Sequence, residues 1–299
     1  MKTILFPITN RVHEARQKTL LRELALHHKV KVVRLSTPSN DMGAVSATYA
    51  LNFQKFIKAE KPDLVLIRGD RYEQLPLAMV AAYSGIPIAH IEGFDLSGVI
   101  DNKVRYAISN LSDYHFVTNE DSYNRARSMG FEHVWDYGSL DCEYALDASK
   151  SARKDEKPYI VALYHPIGTE SPVPVLSALE HFDYKIYGIR SNGDYGKTLY
   201  TEEYKPDEFV RLLDGATCLV GNSSAGLKES SILGVPVVNI GERQMNRTRP
   251  SNVIDVPCEE EAIVAGIQWQ MKHGTYERDM TYYKPNASKN IALKIGELI

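Results

Sequence analysis

Cysteine is scarce: Cys142, Cys218 and Cys258 are the only three in 299 residues. They are too few and too scattered for a disulfide framework, a dithiol motif or a zinc-ligand spacing, and they read as small apolar side chains in a reducing compartment. Long apolar runs are missing too: no stretch of the sequence reaches the roughly 20 residues that span a bilayer. Met1-Lys2-Thr3-Ile4-Leu5-Phe6-Pro7 has one basic residue and an apolar run too short for a signal peptide, so the chain reads as cytoplasmic and unanchored. Charge of one sign is not in excess, since 35 Lys and Arg against 38 Asp and Glu leave a net −3. Bulk charge therefore points to no membrane surface and to no nucleic acid, which stays open only as a substrate. Internal repeats and low-complexity tracts are also absent.

What remains is an ordinary globular composition, 43% hydrophobic and 24% charged, on a chain long enough for two domains with cores of their own. Short β-rich apolar runs alternate with amphipathic segments, the pattern of βα units winding a parallel sheet. In the first half, strands are expected over 3–8, 30–35, 64–67, 86–91, 114–118 and 134–137, with helices near 14–27, 44–59, 72–84, 101–112 and 120–129. A polar, lysine-rich stretch from Asp147 to Lys157 then reads as a linker. Beyond it, strands over 159–163, 184–189, 218–220 and 235–240 bracket helices near 172–182, 206–214 and 224–233, and helices near 259–273 and 286–298 follow. The expected class is α/β, with two Rossmann-like doubly wound domains facing a cleft: 1–150, 157–285, and a terminal helix over 286–299.

In open parallel sheets ligands bind outside the carboxyl ends of the strands, so polar residues just past each apolar run are the candidates. Gly221-Asn222-Ser223-Ser224 follows a buried strand and opens a predicted helix; small residues there let the backbone approach a phosphate, and plain N-capping by Asn222 or Ser223 is the rival reading. Glu229 in the same helix is placed to accept ribose hydroxyls. Arg68-Gly69-Asp70-Arg71 ends the 64–67 strand, either aiming Asp70 at a ligand or making a solvated turn. His90-Ile91-Glu92-Gly93 ends the next strand, and strand alternation puts His90 and Glu92 on one face, as a proton-transfer pair or a structural one. Asp101 and Arg105, four apart on one helix, read by themselves as a surface ion pair, and His165 after the 159–163 strand as a satisfied loop histidine.

Taken in order, these motifs resemble the UDP-N-acetylglucosamine 2-epimerase family, especially its hydrolysing branch. The resemblance runs through Thr9-Asn10-Arg11, Gly69-Asp70-Arg71-Tyr72-Glu73, His90-Ile91-Glu92-Gly93, Asp101, Arg105, His165-Pro166, Gly221-Asn222-Ser223-Ser224, and Gly241-Glu242-Arg243-Gln244 with Arg247. It implies a glycosyltransferase-B fold whose last helix returns to the first domain, and a UDP-sugar bound between the halves. It also implies that Asp70, Glu92, Asp101 and His165 are catalytic, with Glu92 and Asp101 as base and acid, Asp70 orienting and His165 assisting the departing phosphate. Asn222, Ser223, Ser224, Glu229 and Arg243 would hold UDP, with Arg11, Arg71, Gly93 and Arg105 toward the diphosphate or sugar. No metal or other cofactor is expected, because arginines can carry the diphosphate charge. The resemblance suggests a homodimer or higher oligomer. Three departures stand out: a short 30–63 region, Phe94 where the family has a second glycine, and Tyr282-Tyr283-Lys284-Pro285-Asn286-Ala287 in place of a glycine-bearing loop. A bulky Phe94 is expected to reshape the sugar pocket. The competing reading is a UDP-sugar-dependent glycosyltransferase on the same scaffold, its acceptor a glycan, a small molecule or a modified nucleobase.

Overall fold

The computed structural model describes residues 1–9, 11–36, 41–150, 158–167, 170–190 and 199–299, and for residues 11–13 the backbone alone. Alternation along the strands explains its layers. In β1 (Thr3–Ile8) Ile4, Phe6 and Ile8 join one apolar cluster and Leu5 another; in β3 (Leu64–Arg68) Leu64 and Leu66 face the first, Val65 and Ile67 the second. Each strand is thus buried on both sides, as a parallel sheet covered by helices requires.

Contacts divide the chain into two units: Met1–Asp95, Val99–Glu143 and Lys284–Ile299 form one, and Leu96–Gly98 with Tyr144–Tyr283 the other. In the first, β1 is followed by α1 (Arg11–Arg16), α2 (Lys18–Ala25), β2 (Lys29–Arg34), α3 (Met42–Glu60), β3, α4 (Leu75–Tyr83), β4 (Ile88–Ile91), α5 (Asp101–Asn110), β5 (Tyr114–Val117), α6 (Glu120–Ser128) and β6 (Val134–Asp136), and α7 (Leu140–Ser149) begins in this unit and ends in the second. Its sheet is parallel in the order β2-β1-β3-β4-β5-β6. In the second unit come β7 (Tyr159–Leu163), α8 (Val173–Glu180), β8 (Lys185–Gly188), α9 (Pro206–Asp214), β9 (Cys218–Gly221), α10 (Glu229–Leu233), β10 (Val237–Ile240), β11 (Val253–Val256) and α11 (Glu260–His273). That sheet is also parallel, in the order β11-β10-β9-β7-β8. The last helix, α12 (Ala287–Leu298), belongs to the first unit, where Ile291 and Ile295 pack with Leu20 and Leu24 of α2.

Several elements differ from the sequence reading. The helix expected over 14–27 is two helices that turn at Gln17. The helix expected over 224–233 breaks into a 3-10 turn, Ser224–Gly226, and the five-residue α10, so Gly221–Ser224 does not sit at the head of a long helix and receives little macrodipole. Strand β11 went unpredicted because Asp255 interrupts its short apolar run; that carboxylate accepts from Asn239 Nδ2 at 2.6 Å and Arg249 Nε at 2.8 Å. The lysine-rich stretch begins within α7, and residues 151–157 of it lie outside the described residues. No helix among the described residues is long and apolar enough to cross a membrane.

One glycine at a strand end is required by contact. A Cβ on Gly221, whose φ is +152°, would lie 2.0 Å from the Leu163 carbonyl oxygen and 2.5 Å from its carbon, both backbone atoms of the neighbouring strand. Gly221→Ala is expected to cost about 3 kcal/mol or more through forced displacement of β7 or β9, a loss that urea denaturation would read directly.

Candidate active site

Both sheets reverse their strand order beside the first strand, between β1 and β3 in one unit and between β7 and β9 in the other. The carboxyl ends of strands at such a switch point are where open α/β sheets bind ligands. Gly69-Asp70 follows β3 and Glu92 follows β4 in the first unit; His165 follows β7 and Asn222-Ser223-Ser224 follows β9 in the second.

Glu92 is only 8% exposed and leaves the strand in a left-handed backbone, φ +62°, so strand alternation with His90 ends at Ile91. Arg68 Nη2 lies 3.0 Å from Glu92 Oε1, and the Ser139 hydroxyl donates to the same oxygen at 2.9 Å. The same Arg68 nitrogen lies 2.8 Å from Asp141 Oδ1, and Arg16 Nη1 stands 3.4 Å from that oxygen. The result is a buried row of alternating sign, Glu92, Arg68, Asp141, Arg16. Burial works against the Arg68 charge, but Asp141 and Glu92 outweigh it and hold the guanidinium above its usual range.

His90 is not a proton-transfer partner of Glu92. Its Nε2 is 2.8 Å from the Gly69 carbonyl and its Nδ1 3.0 Å from Ser109 Oγ. The carbonyl can only accept, so Nε2 carries the hydrogen and Nδ1 accepts from Ser109. Burial pushes the ring down to about 4, so it is neutral near pH 7 and clamps the turn before Asp70. Gly93, expected to meet substrate, is required by this clamp: a Cβ there would lie 2.8 Å from His90 Nδ1 and 2.9 Å from Ser109 Oγ.

Arg105 is likewise not half of a surface pair. It is 2% exposed, and its guanidinium donates to Asp70 Oδ2, to the Asp95 carbonyl and, at 2.9 Å, to Asn102 Oδ1. Arg105 therefore fixes Asp70. Asp101 opens α5 one turn earlier, half-buried. Arg71 forks onto Glu73, Nε to Oε2 at 3.1 Å and Nη2 to Oε1 at 2.8 Å, so the structure gives it a partner within its own turn. The Arg11 side chain lies outside the described residues. Phe94 does not reshape a pocket: it is fully buried, with its ring 5.1 Å from His115, 4.9 Å from Phe131 and 6.3 Å from Tyr106.

In the second unit Asn222 is a strut. Its side chain accepts from the His165 N–H at 2.8 Å and donates to the His165 carbonyl at 3.0 Å, while its own carbonyl accepts from Arg243 Nη1 at 3.0 Å and Gln244 Nε2 at 2.8 Å. Ser223 Oγ caps the 3-10 turn through the Ala225 N–H at 3.3 Å, the capping that rivalled phosphate binding in the sequence. Ser223 and Ser224 stay half-buried, whereas Glu229 is buried in the first turn of α10. Burial and the neighbouring Arg243 charge push His165 down to about 3, which leaves a neutral imidazole able to donate one N–H. Arg68, Ser139 and Asp141 are not among the site residues that the sequence points to. The signal was there for two of them, since Gly138-Ser139-Leu140-Asp141 lies just past the carboxyl end of β6.

The profile of the UDP-N-acetylglucosamine 2-epimerase family matches residues 8–296. The chain is 32% identical over 271 residues to a UDP-N-acetylglucosamine 2-epimerase of Neisseria meningitidis, covering 81% of this chain and 72% of that protein. It is 33% identical over 250 residues to the UDP-N,N'-diacetylbacillosamine 2-epimerase (hydrolyzing) of Legionella pneumophila, covering 73% of this chain and 66% of that one. The crystal structure of the Neisseria meningitidis UDP-GlcNAc 2-epimerase bound to UDP-GlcNAc superposes with a TM-score of 0.82 at 18% identity, covering 99% of this chain and 100% of that one, so the fold is of the two-domain glycosyltransferase-B type.

The buried histidines set a pH dependence. His90 takes its proton near 4 in the fold against 6.5 when unfolded. Below pH 6.5 the unfolded chain binds that proton first, so stability is complete above 6.5 and is lost as pH falls toward 4, by about 3 kcal/mol from this group. His115 and His165, each pushed down to about 3, act with the same sign. His90→Asn should flatten the fall of the urea midpoint across this window, and an unchanged slope would contradict a neutral buried ring.

Proposed function

Because the chain belongs to the UDP-N-acetylglucosamine 2-epimerase family, we propose that it is a hydrolysing 2-epimerase acting on UDP-N-acetylglucosamine or a closely related UDP-sugar, and that it works in the cytoplasm. The observation that carries the reading is the pair of carboxylates at adjacent strand ends, Asp70 after β3 and Glu92 after β4, each held by a buried arginine.

The reaction needs such acids. The sugar C2–H is not next to a carbonyl, so it becomes acidic only as the C1–O bond to UDP breaks and positive charge develops on the ring. A fixed carboxylate stabilises that charge and accepts the C2 proton, leaving a glycal and UDP. Water then adds at C1 and a proton returns to the opposite face of C2. In this reading Glu92 takes the proton, Asp101 returns one, Asp70 orients the ring, and the neutral His165 donates its N–H to the departing phosphate. Ser223, Ser224, Arg243 and the Asn222 strut hold the diphosphate, and Glu229 the ribose. A buried acid opposite a diol and an arginine opposite a diphosphate are the chemically matched pairs. The arginines and hydroxyls suffice for the diphosphate charge, so the proposal requires no metal.

Incubation with UDP-N-acetylglucosamine in deuterated water, followed by NMR, should give free UDP and N-acetylmannosamine deuterated at C2. UDP release only when an acceptor is added, with no free epimer, would establish the glycosyltransferase instead; no turnover across several UDP-sugars would reject both. Excess EDTA should leave the rate unchanged, and a loss restored by a divalent ion would show that the diphosphate charge is carried by metal.

A further inference from the structure

Every buried charge needs a partner, but a proton-accepting carboxylate pays for a partner that is too strong with lost basicity. Arg68 presents that problem. It is 5% exposed, and its Nη2 sits 3.0 Å from Glu92 Oε1, a geometry that by itself would make Glu92 a feeble base. The same Nη2 is shared, at 2.8 Å, with Asp141 Oδ1 from the first turn of α7, and Asp141 is itself 7% exposed. A second carboxylate on one guanidinium nitrogen draws part of the cation's field away from the first and places a like charge near it. Both effects favour a proton on Glu92.

We propose that Asp141 is a positioning residue for Glu92, acting through Arg68 to fix the carboxylate in place and keep it basic enough to take the sugar proton, with Ser139 holding the same oxygen from the other side. This rests on Glu92 being the base of the proposed reaction. Several groups face Glu92 among the described residues. Arg68 comes from the end of β3, the neutral His90 from β4, Ser139 from the turn before α7 and Asp141 from the first turn of α7. Arg16 of α1 stands behind Asp141, and the Phe116 carbonyl of β5 accepts the Glu92 N–H at 2.7 Å. Asp141 is the member whose charge opposes deprotonation of Glu92, whereas the Ser139 hydroxyl, a donor to Glu92 Oε1, assists it.

That opposition makes the test directional. Asp141→Asn keeps an acceptor for Arg68 but removes the charge, leaving Glu92 as the carboxylate that pairs with Arg68 Nη2. The acid limb of the kcat profile for UDP release should move to lower pH by roughly one unit, and kcat near neutrality should fall about tenfold, with KM unchanged. Ser139→Ala removes a donor to the carboxylate and should move the limb the other way, to higher pH. A merely structural role predicts activity that tracks the folded fraction with both limbs where the wild type has them, and that result would overturn the proposal. Should Asp141→Asn not fold, Ser139→Ala decides alone, and an unmoved limb there rejects it. Glu92→Gln, measured alongside, separates this from the reading beneath it: a fully active Glu92→Gln means Glu92 is not the base, whereas an inactive one with unmoved limbs in the other variants rejects only the role of Asp141.

Discussion

A guanidinium cannot be left bare in a dry interior, because removing a partner from a buried ion pair costs about 3–5 kcal/mol. Arg105 imposes this condition on the first unit. With 2% of its surface exposed, it collects acceptors from three places at once: the Asp70 carboxylate after β3, the Asp95 carbonyl after β4 and Asn102 in the first turn of α5. Asp95 in turn receives the Thr118 hydroxyl at 2.6 Å and that of Ser122 at 3.0 Å, which ties in the end of β5 and the start of α6. The ends of neighbouring strands are thereby joined by polar contacts, over a sheet held by apolar ones. A strand end so constrained can present a carboxylate at a fixed place.

The second unit reaches a similar result around an amide side chain. Asn222 pairs with both backbone groups of His165, and Arg243 and Gln244 converge on its carbonyl. Arg249 closes the loop by donating to the Gln244 carbonyl at 2.7 Å and to the Arg247 carbonyl at 2.9 Å while holding Asp255. The arginine loop, the β9 end and the β7 end therefore shift together or not at all. A side chain that looked in the sequence like a phosphate ligand or a helix cap turns out to be the crosspiece on which the ligand candidates rest.

Much of the fold was legible because its signal is local. Short uninterrupted apolar runs, Ile4-Leu5-Phe6 and Leu64 to Ile67, announce strands buried on both faces, and the loops after them hold the polar residues. That rule singles out Asp70 and Glu92 as candidates. Contacts between residues distant in sequence were not legible. The spacing of Asp101 and Arg105 suggests a helix-surface pair, yet Arg105 turns inward to Asp70, 35 residues away. Phe94 looked like an intrusion into a pocket because its neighbours His115 and Phe131 could not be known to converge on it. Asp141 is not legible locally because its meaning depends on Arg68, and nothing local links them.

The placement of α12 bears on how the chain comes to be folded. Ile291, Ala292 and Ile295 sit in the same apolar cluster as Ile4, Leu20 and Leu66, and Glu143 receives the Ser288 N–H at 3.1 Å. The ribosome makes Tyr144–Tyr283, the bulk of the second unit, before it makes these residues. A nascent first unit must therefore wait, with the α2 side of its sheet uncovered, until the other unit has been translated. Its completion is a closure over a long stretch of chain, slow by its nature, and the second unit, whose sheet is continuous in sequence from Tyr159 to Val256, is free to fold first.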